Sequence, residues 1–113
     1  MNSRNKGKRG ELEVAHLLQS YGYEARRSQQ YAGINNDADV VGLPGIHIEV
    51  KRVEKLNIDD AMEQSIRDAS YGEKPMVIHR KNNKQWLVTM PFIEWMELFQ
   101  AWEKENERIH QTT

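Results

Sequence analysis

The chain has 113 residues, of which 38% are hydrophobic and 29% are charged, a composition typical of one globular domain and not of a disordered protein. It contains no cysteine, which excludes disulfides, zinc sites built on thiolates and thiol nucleophiles. No apolar run approaches the length that spans a bilayer, and no apolar stretch follows the first basic residues as in a signal peptide. We therefore expect a cytoplasmic protein with no membrane partner.

The charge is nearly balanced in total but unevenly distributed. The formal net charge is −1, yet residues 1–9 form a basic arm without acids and residues 94–113 carry five glutamates against Lys104 and Arg108. This asymmetry favours one face that meets phosphate and another that faces solvent. The alternative is a flexible start and an ordinary solvated helix. The basic residues of the arm are Arg4, Lys6, Lys8 and Arg9.

The first half of the chain predicts one helix and three strands. Apolar residues at helical spacing indicate the helix, which Gly22 is placed to end. A polar segment separates the first strand from the other two, which a Gly-Leu-Pro-Gly turn joins. The predicted ranges are Lys8–Tyr21 for the helix, Glu24–Arg27, Ala38–Val41 and Ile46–Arg52 for the strands, and Ser28–Asp37 for the loop.

The second half predicts a helix, a hairpin and a final helix. Asn57 is a suitable N-cap for the first of these, which Gly72 and Pro75 close off. Its buried stripe is expected at i, i+4 and i+7, and the hairpin strands are joined by a polar turn. The predicted stripe is Met62, Ile66 and Ala69, and the predicted strands are Met76–His79 and Gln85–Thr89.

Pro91 opens the final helix, over about residues 91–106, which carries an aromatic stripe at helical intervals. The stripe is most simply core, and some of it can bury against a second copy of the chain. It consists of Phe92, Trp95, Phe99 and Trp102. The whole order, αβββαββα over a single domain of residues 1–113, predicts an α/β fold with a mixed sheet flanked by helices.

Two acids and a lysine stand close together in the predicted strand pair. Asp39 opens one apolar run, and Glu49 and Lys51 close the next on a shared strand face. Carboxylates suit Mg²⁺, and the carbonyl of Val50 offers a third oxygen. Lys51 could orient a water or stabilise developing negative charge. The alternative is an ordinary surface pair of Glu49 and Lys51. His47 shares their face, but the histidine spacing indicates no zinc site.

With these residues the chain resembles the PD-(D/E)xK nuclease superfamily, whose fold is a restriction-endonuclease-like mixed sheet. Asp39 matches the aspartate of the motif, Glu49 its second acid and Lys51 its lysine, whereas Ala38 stands at the proline position. Asp37, two residues before Asp39, is a rival metal ligand. The resemblance implies Mg²⁺ dependence, with Mn²⁺ as a substitute, and products with 5′-phosphates.

The segment Lys6–Glu13 and the apolar helix after it are similar to the archaeal-type Holliday-junction resolvases. The later Tyr21-Gly22-Tyr23 and the basic strand end extend this similarity. In that family an acid at the start of the first helix joins the metal site, which implies this role for Glu11, with Glu13 as the second choice. Related nucleases often place a glutamine on the second helix, which implies a catalytic role for Gln64.

Phosphate binding is expected from basic residues on the arm, the first strand and the end of the third strand. Gly7 and Gly10 permit close backbone approach at a helix N-terminus. Tyr31 could stack on an unpaired junction base. Ordinary surface charge is the alternative for each basic residue. Besides Arg4, the expected DNA-binding set is Lys6, Lys8, Arg9, Arg26, Arg27, Tyr31 and Arg52.

The sequence and its resemblance together predict a bacterial, archaeal or phage-encoded endonuclease that hydrolyses phosphodiesters with a metal-activated water. The resemblance implies branched double-stranded DNA, most simply a Holliday junction, as substrate. Two symmetric cuts imply a homodimer. A flap, nick or single-strand nuclease of the same superfamily is the nearest alternative, and a catalytically silent DNA-binding protein on this fold is the second.

Overall fold

Three helices and five strands follow one another in the predicted order, so the α/β prediction is confirmed. The computed structural model describes residues 3–28 and 38–111, with side chains from residue 5 onward, and most of the predicted Ser28–Asp37 loop lies outside this part. The elements are α1 Ser3–Ser20, β1 Arg26–Arg27, β2 Val40–Val41, β3 Ile46–Arg52, α2 Ile58–Asp68, β4 Lys74–Arg80, β5 Leu87–Thr89 and α3 Phe92–Gln111.

The five strands form one mixed sheet in the order β1-β2-β3-β4-β5. Strands β3 and β4 are parallel and connected through α2, and the other neighbours are antiparallel. The register pairs Ile46 with Lys74 and Arg52 with Arg80, so β3 and β4 run side by side over their full length. Glu49 lies opposite Val77 and is therefore at the centre of the sheet.

Helices α1 and α2 cover opposite faces of the sheet. On the α1 face, Val14 and Ala15 pack in one buried cluster with Ile48 and Val50. Because side chains alternate along a strand, His47 and Glu49 point to the α2 face. There the Ser65 hydroxyl of α2 donates to the carbonyl of Met76 at 3.1 Å and accepts from its N–H at 3.0 Å. The sheet thus has one apolar face and one face with buried polar groups.

A tight turn joins β2 to β3 and runs against the chain that enters β1. Gly42 in this turn has φ +106°, a conformation that residues with a side chain rarely adopt. A Cβ atom at this position would lie 2.2 Å from the backbone oxygen of Glu24. Only glycine allows the two backbone segments to approach so closely.

Several predicted boundaries differ from the structure. Helix α1 begins at Ser3 and not at Lys8, so residues 3–9 of the predicted basic arm are helical. Strands β1, β2 and β5 are shorter than predicted, whereas β4 is longer and includes Pro75. Proline fits there because β5 pairs with β4 only from Val77 onward, so the missing N–H of Pro75 removes no bond to that neighbour.

The predicted cap of α2 is confirmed, but its predicted buried stripe is wrong. The Asn57 side chain accepts a 3.1 Å hydrogen bond from the Asp60 N–H. The buried residues are Ala61 and Ser65, one position before the expected phase, and Ile66 is 53% exposed. Small side chains let α2 approach the sheet closely enough for Ser65 to bond its backbone, which apolar periodicity alone does not reveal.

Helix α3 contributes no buried residue, so the prediction that its aromatic stripe is core is wrong. Its salt bridges to the rest of the described structure join Glu94 and Glu97 to Lys74 on β4. Periodicity shows that a helix has an apolar face, but the face here has no cover in the described chain. None of the described helices has the length and apolar character needed to cross a membrane.

Candidate active site

Asp39 lies just before β2 in the chain and is held by two hydrogen bonds to the backbone of the neighbouring strand β3. Its N–H donates to the Ile48 carbonyl at 2.9 Å, and its carboxylate Oδ2 accepts from the Val50 N–H at 2.9 Å. The Gly42 turn brings this about because it reverses the chain between the two strands. Asp39 therefore lies beside the peptide that links Glu49 to Val50, as the sequence predicts.

Glu49 is the most unusual residue of the sheet, because a carboxylate at its centre is only 1% exposed. Its Oε1 atom lies 2.8 Å from Nε2 of His47, which is itself 2% exposed. Its Oε2 atom is buried and has no hydrogen-bond partner among the described residues. Buried carboxylate oxygens are normally paired, so this one indicates a missing donor or cation.

The two carboxylates of the site repel one another. Burial raises the pKa of Asp39, and the nearby charge of Glu49 raises it further, to about 7 despite the opposing Val50 N–H hydrogen bond. Glu11 adds a smaller repulsion of the same sign. A pair of buried acids that share one site is the environment that a divalent cation would stabilise.

The predicted site does not include His47, yet this residue holds Glu49 through a hydrogen bond. Because a carboxylate accepts hydrogen bonds, Nε2 carries the proton and donates to Glu49, while Nδ1 lies 3.8 Å from Oε1 of Glu73. Burial lowers the pKa of His47, but the hydrogen bond and the charges of Glu49 and Glu73 outweigh it and raise the pKa above its usual value. The alternation of side chains along β3 places His47 on the same face as Glu49, and this is the feature of the sequence that indicates the contact.

The other predicted residues of the motif lie around this pair. The Val50 N–H binds Asp39, and because N–H and C=O of one strand residue point to the same edge, its carbonyl faces the same side. Lys51 is half-buried at the next same-face position and has no ion pair within the described chain. Gln64 is half-buried on α2, but no hydrogen bond among described residues joins it to Lys51 or the acids.

Both predicted acids of α1 are engaged by arginines. Oε2 of Glu11 accepts from Nε of Arg27 at 2.7 Å. Glu13 pairs with Arg52 at 3.3 Å and with Arg80 at 3.0 Å. The charge of Glu11 still contributes to the raised pKa of Asp39. Glu13 makes no such contribution and is paired with Arg52 and Arg80 instead. Of the two, Glu11 is therefore the better placed to join a metal site.

The donor set fits a hard divalent cation. Asp39, Glu49 and the Val50 carbonyl are oxygen ligands, and the unpaired Oε2 of Glu49 and the repulsion at Asp39 both call for positive charge. Within residues 3–28 and 38–111, no three His, Asp or Glu side chains converge as a complete metal set. The rival ligand Asp37 lies outside that part.

The predicted DNA-binding residues divide into two groups. Lys8, Arg9 and Arg26 are exposed and form no ion pair with another described residue. The others are engaged by acids: Arg27 with Glu11, Arg52 with Glu13, and Lys6 with Glu54 at 3.9 Å. Tyr31 and the side chain of Arg4 are not among the described residues. The exposed group is therefore the one free to meet phosphate in the described part of the chain.

Comparison with known proteins agrees with this geometry. The family model described as "Phage putative PDDEXK endonuclease" matches residues 2–113. Among solved structures, Hjc of Archaeoglobus fulgidus, a Holliday junction resolvase from an archaeal hyperthermophile, is similar with a TM-score of 0.58. The two are 24% identical over 74% of this chain and 76% of that chain, which shows a common fold. No curated protein matches the sequence.

Proposed function

Because this chain belongs to that phage family of PD-(D/E)xK endonucleases, we propose that it is a metal-dependent, structure-selective DNA endonuclease whose substrate is a Holliday junction. The observation that supports the chemistry best is the pairing of Asp39 with the buried Glu49 beside Lys51. The similar fold of a Holliday junction resolvase supports the substrate. Selectivity then comes from DNA shape, since the domain is small.

The residues divide the work between holding a cation and assisting the reaction. Asp39, Glu49 and the Val50 carbonyl would hold Mg²⁺ or Mn²⁺, with Glu11 as an added ligand once it is released from Arg27. When bound, such a cation polarises the phosphoryl oxygen and lowers the pKa of a coordinated water. His47 keeps the Glu49 carboxylate in one orientation through its 2.8 Å hydrogen bond.

Lys51 is the residue that acts on the phosphate itself. Lys51 is half-buried on the same strand face as Glu49, two residues further along β3, and its ammonium has no ion pair in the described chain. The charge is thus available to stabilise the negative charge that develops on the phosphoryl oxygens. Gln64 on α2 faces the same side of the sheet and would position the attacking water.

Substrate binding falls first to the exposed Lys8, Arg9 and Arg26. Contacts of this kind neutralise phosphates and read backbone shape and not sequence. A four-way junction offers two equivalent strands to cut, so we propose that the enzyme acts as a homodimer. A nuclease for flaps, nicks or single strands needs only one centre and is the alternative that the same acid pair allows.

The test is a cleavage assay on a labelled four-way junction beside matched flap, nicked, single-stranded and linear duplex DNA. Wild type, Lys51→Ala and Lys55→Ala would each be assayed with Mg²⁺, with Mn²⁺ and with EDTA. Lys55 is a matched control because it is an exposed lysine just beyond β3. We expect paired cuts in the junction with either metal, lost with EDTA and in Lys51→Ala but retained in Lys55→Ala.

Each other result selects a different function. Cleavage of flaps or single strands in place of junctions would keep the chemistry and move the substrate to the alternative nuclease. Junction binding with no cleavage of any DNA would contradict the nuclease proposal and favour a silent DNA-binding protein. Equal activity in Lys51→Ala and Lys55→Ala would remove Lys51 from the mechanism.

A further inference from the structure

Helix α3 exposes more aromatic surface than a monomeric domain normally leaves in water. Phe92 is 74% exposed, Trp95 47% and Trp102 60%, and no residue of the helix is buried. A 20-residue helix is about 30 Å long, and the longest dimension of the chain is 54 Å. The helix that carries the aromatic face thus spans more than half of the longest dimension of the chain.

The orientation of α3 explains why its aromatic face is uncovered. Glu94 and Glu97 bind Lys74 of β4, which fixes the acidic side of the helix toward the sheet. At 100° per residue, Trp95 and Phe99 project from the other half of the helix. The four rings form a continuous ladder along that half, with centroid separations of 6.1, 5.4 and 5.6 Å from Phe92 to Trp102.

The area of this ladder is a large share of what a dimer needs. At roughly 200 Å² per aromatic side chain, the exposed fractions of Phe92, Trp95 and Trp102 amount to about 350 Å². Two copies would bury about 700 Å² from these residues alone. Leu98 at the margin of the ladder brings the contact to roughly 850 Å², against the ~1,200 Å² of a small stable interface. Contiguous apolar patches of this size on a lone protein are often interaction sites.

The spacing of the ladder is self-complementary. The rings stand at positions 92, 95, 99 and 102, so their intervals are three, four and three residues, the same in both directions. A twofold axis across the middle of the helix would set Phe92 against Trp102 of a second copy and Trp95 against Phe99. Every phenyl ring would then meet an indole, and each contact would occur twice, as an isologous interface requires.

The charge of the helix argues against other occupants. Residues 94–111 carry five glutamates against Lys104 and Arg108, which repels both DNA phosphates and an anionic membrane surface. We propose that the aromatic face of α3 binds the same face of a second copy in antiparallel orientation. This contact deepens the proposed function, because it would join two nuclease centres, but it rests on area and spacing and its test needs no cleavage.

The first test is the mass of the protein in solution, measured by sedimentation over a dilution series. Wild type should be a dimer, and Trp95→Glu or Phe99→Glu should raise the dissociation constant at least about 100-fold. Ala101→Glu is the matched control, since it adds the same charge to an exposed position outside the ladder. Its dimer should persist. Because none of these residues is buried, circular dichroism should show every variant folded.

A variant with two opposite charges tests the antiparallel orientation. Phe92→Lys and Trp102→Glu place opposite charges at two positions that face each other only in an antiparallel pair. A chain that carries both substitutions should therefore dimerise at least about tenfold more tightly than either single variant. In a parallel pair the double variant would set like charges against each other at both positions and dimerise more weakly than the single variants, which would overturn the proposed orientation.

The remaining outcomes are equally decisive. A wild type that stays monomeric at the highest concentration, or a Trp95→Glu variant that stays dimeric, would overturn the proposal. Cleavage separates its failure from that of the proposed function. Monomeric variants should still nick one strand of a junction with Mg²⁺, while the paired cuts of wild type should be lost. Loss of all cleavage in a folded monomer would show that each centre needs its neighbour.

Discussion

The acid site and the aromatic face of α3 reverse the usual distribution of residues in opposite ways. Glu49 places a carboxylate in the centre of the sheet at 1% exposure, whereas Trp102 leaves most of an indole in water at 60%. Carboxylates are rarely buried without a partner, and large apolar faces rarely stay uncovered. Each region is therefore incomplete in the isolated chain. The comparison teaches that the acid site lacks a positive charge to pair with its carboxylates and that the aromatic face lacks an apolar surface to cover it.

The largest effect should come from removing a charge in the acid site. Glu49→Gln keeps the shape of the side chain but halves the ligand charge, so cleavage should fall on the order of 10³-fold. Millimolar Mg²⁺ should raise the melting temperature of wild type but not of this variant, because only wild type binds the cation. Thermal melts with Mg²⁺ and with EDTA, beside cleavage rates, measure both. Glu63→Gln on the exposed side of α2 is the control, and equal loss in both variants would contradict the assignment.

The metal-free acid site should cost stability in a pH-dependent way. The folded state raises the pKa of Asp39 from 3.8 to about 7, so between these values it holds a proton that the unfolded chain releases. The stability of wild type in EDTA should therefore fall as pH rises from 4 to 7. Asp39→Asn, which carries no charge at any pH, should be the more stable protein at pH 8, by about 4 kcal/mol.

Urea unfolding at several pH values measures this difference, and added Mg²⁺ should reverse the ranking. The exposed Asp59→Asn is the control and should unfold with the pH profile of wild type. A pH slope in Asp39→Asn equal to that of wild type would show that folding does not raise the pKa of Asp39.

A smaller effect is expected at His47, which orients the acid without binding the cation. His47→Leu removes the donor to Glu49, and Mn²⁺ affinity should fall about tenfold. His47→Gln retains an N–H donor at a similar reach and should restore part of the affinity. Calorimetric titration of Mn²⁺ into the DNA-free protein measures it, and His16→Leu on the exposed side of α1 is the control. Equal affinity in all variants would leave His47 with a structural role only.

The smallest effect should be on the folding of the monomer when the aromatic face is trimmed. Trp102→Ala should change the unfolding free energy by less than about 0.5 kcal/mol at high dilution, because the indole ring is mostly exposed in the monomer and few contacts are removed. Ile48→Ala, in the apolar core, should cost about 2–5 kcal/mol in the same assay. A large cost for Trp102→Ala at high dilution would show that α3 packs against its own domain.

The sequence predicts local features of this fold well. The limits of β3, Ile46–Arg52, and the Asn57 cap of α2 follow from the chain itself, because alternation and capping are set by neighbouring residues. The proximity of Asp39 to Glu49 also follows from a short turn between two strands. The order of elements then leaves few ways to assemble the sheet.

What the sequence does not predict depends on partners far along the chain. The arginines that engage Glu11 and Glu13 are 16 to 67 residues away, so nothing near the acids indicates them. The buried phase of α2 depends on the sheet backbone that Ser65 bonds. The exposure of α3 depends on where the salt bridges to Lys74 hold it. The periodicity of the sequence predicts that α3 has an apolar face, but it does not predict which surface packs against that face.

The glycine of the β2–β3 turn has a genetic consequence. Gly42 has no side chain with which to bind a cation or a phosphate. A side chain there would collide with the Glu24 backbone and force open the turn that brings Asp39 to β3. In a saturation mutagenesis screen for loss of cleavage, we expect every substitution of Gly42 to be as damaging as substitutions of Asp39 and Glu49. Inherited change at this position would therefore be rejected as strictly as change in the chemistry itself.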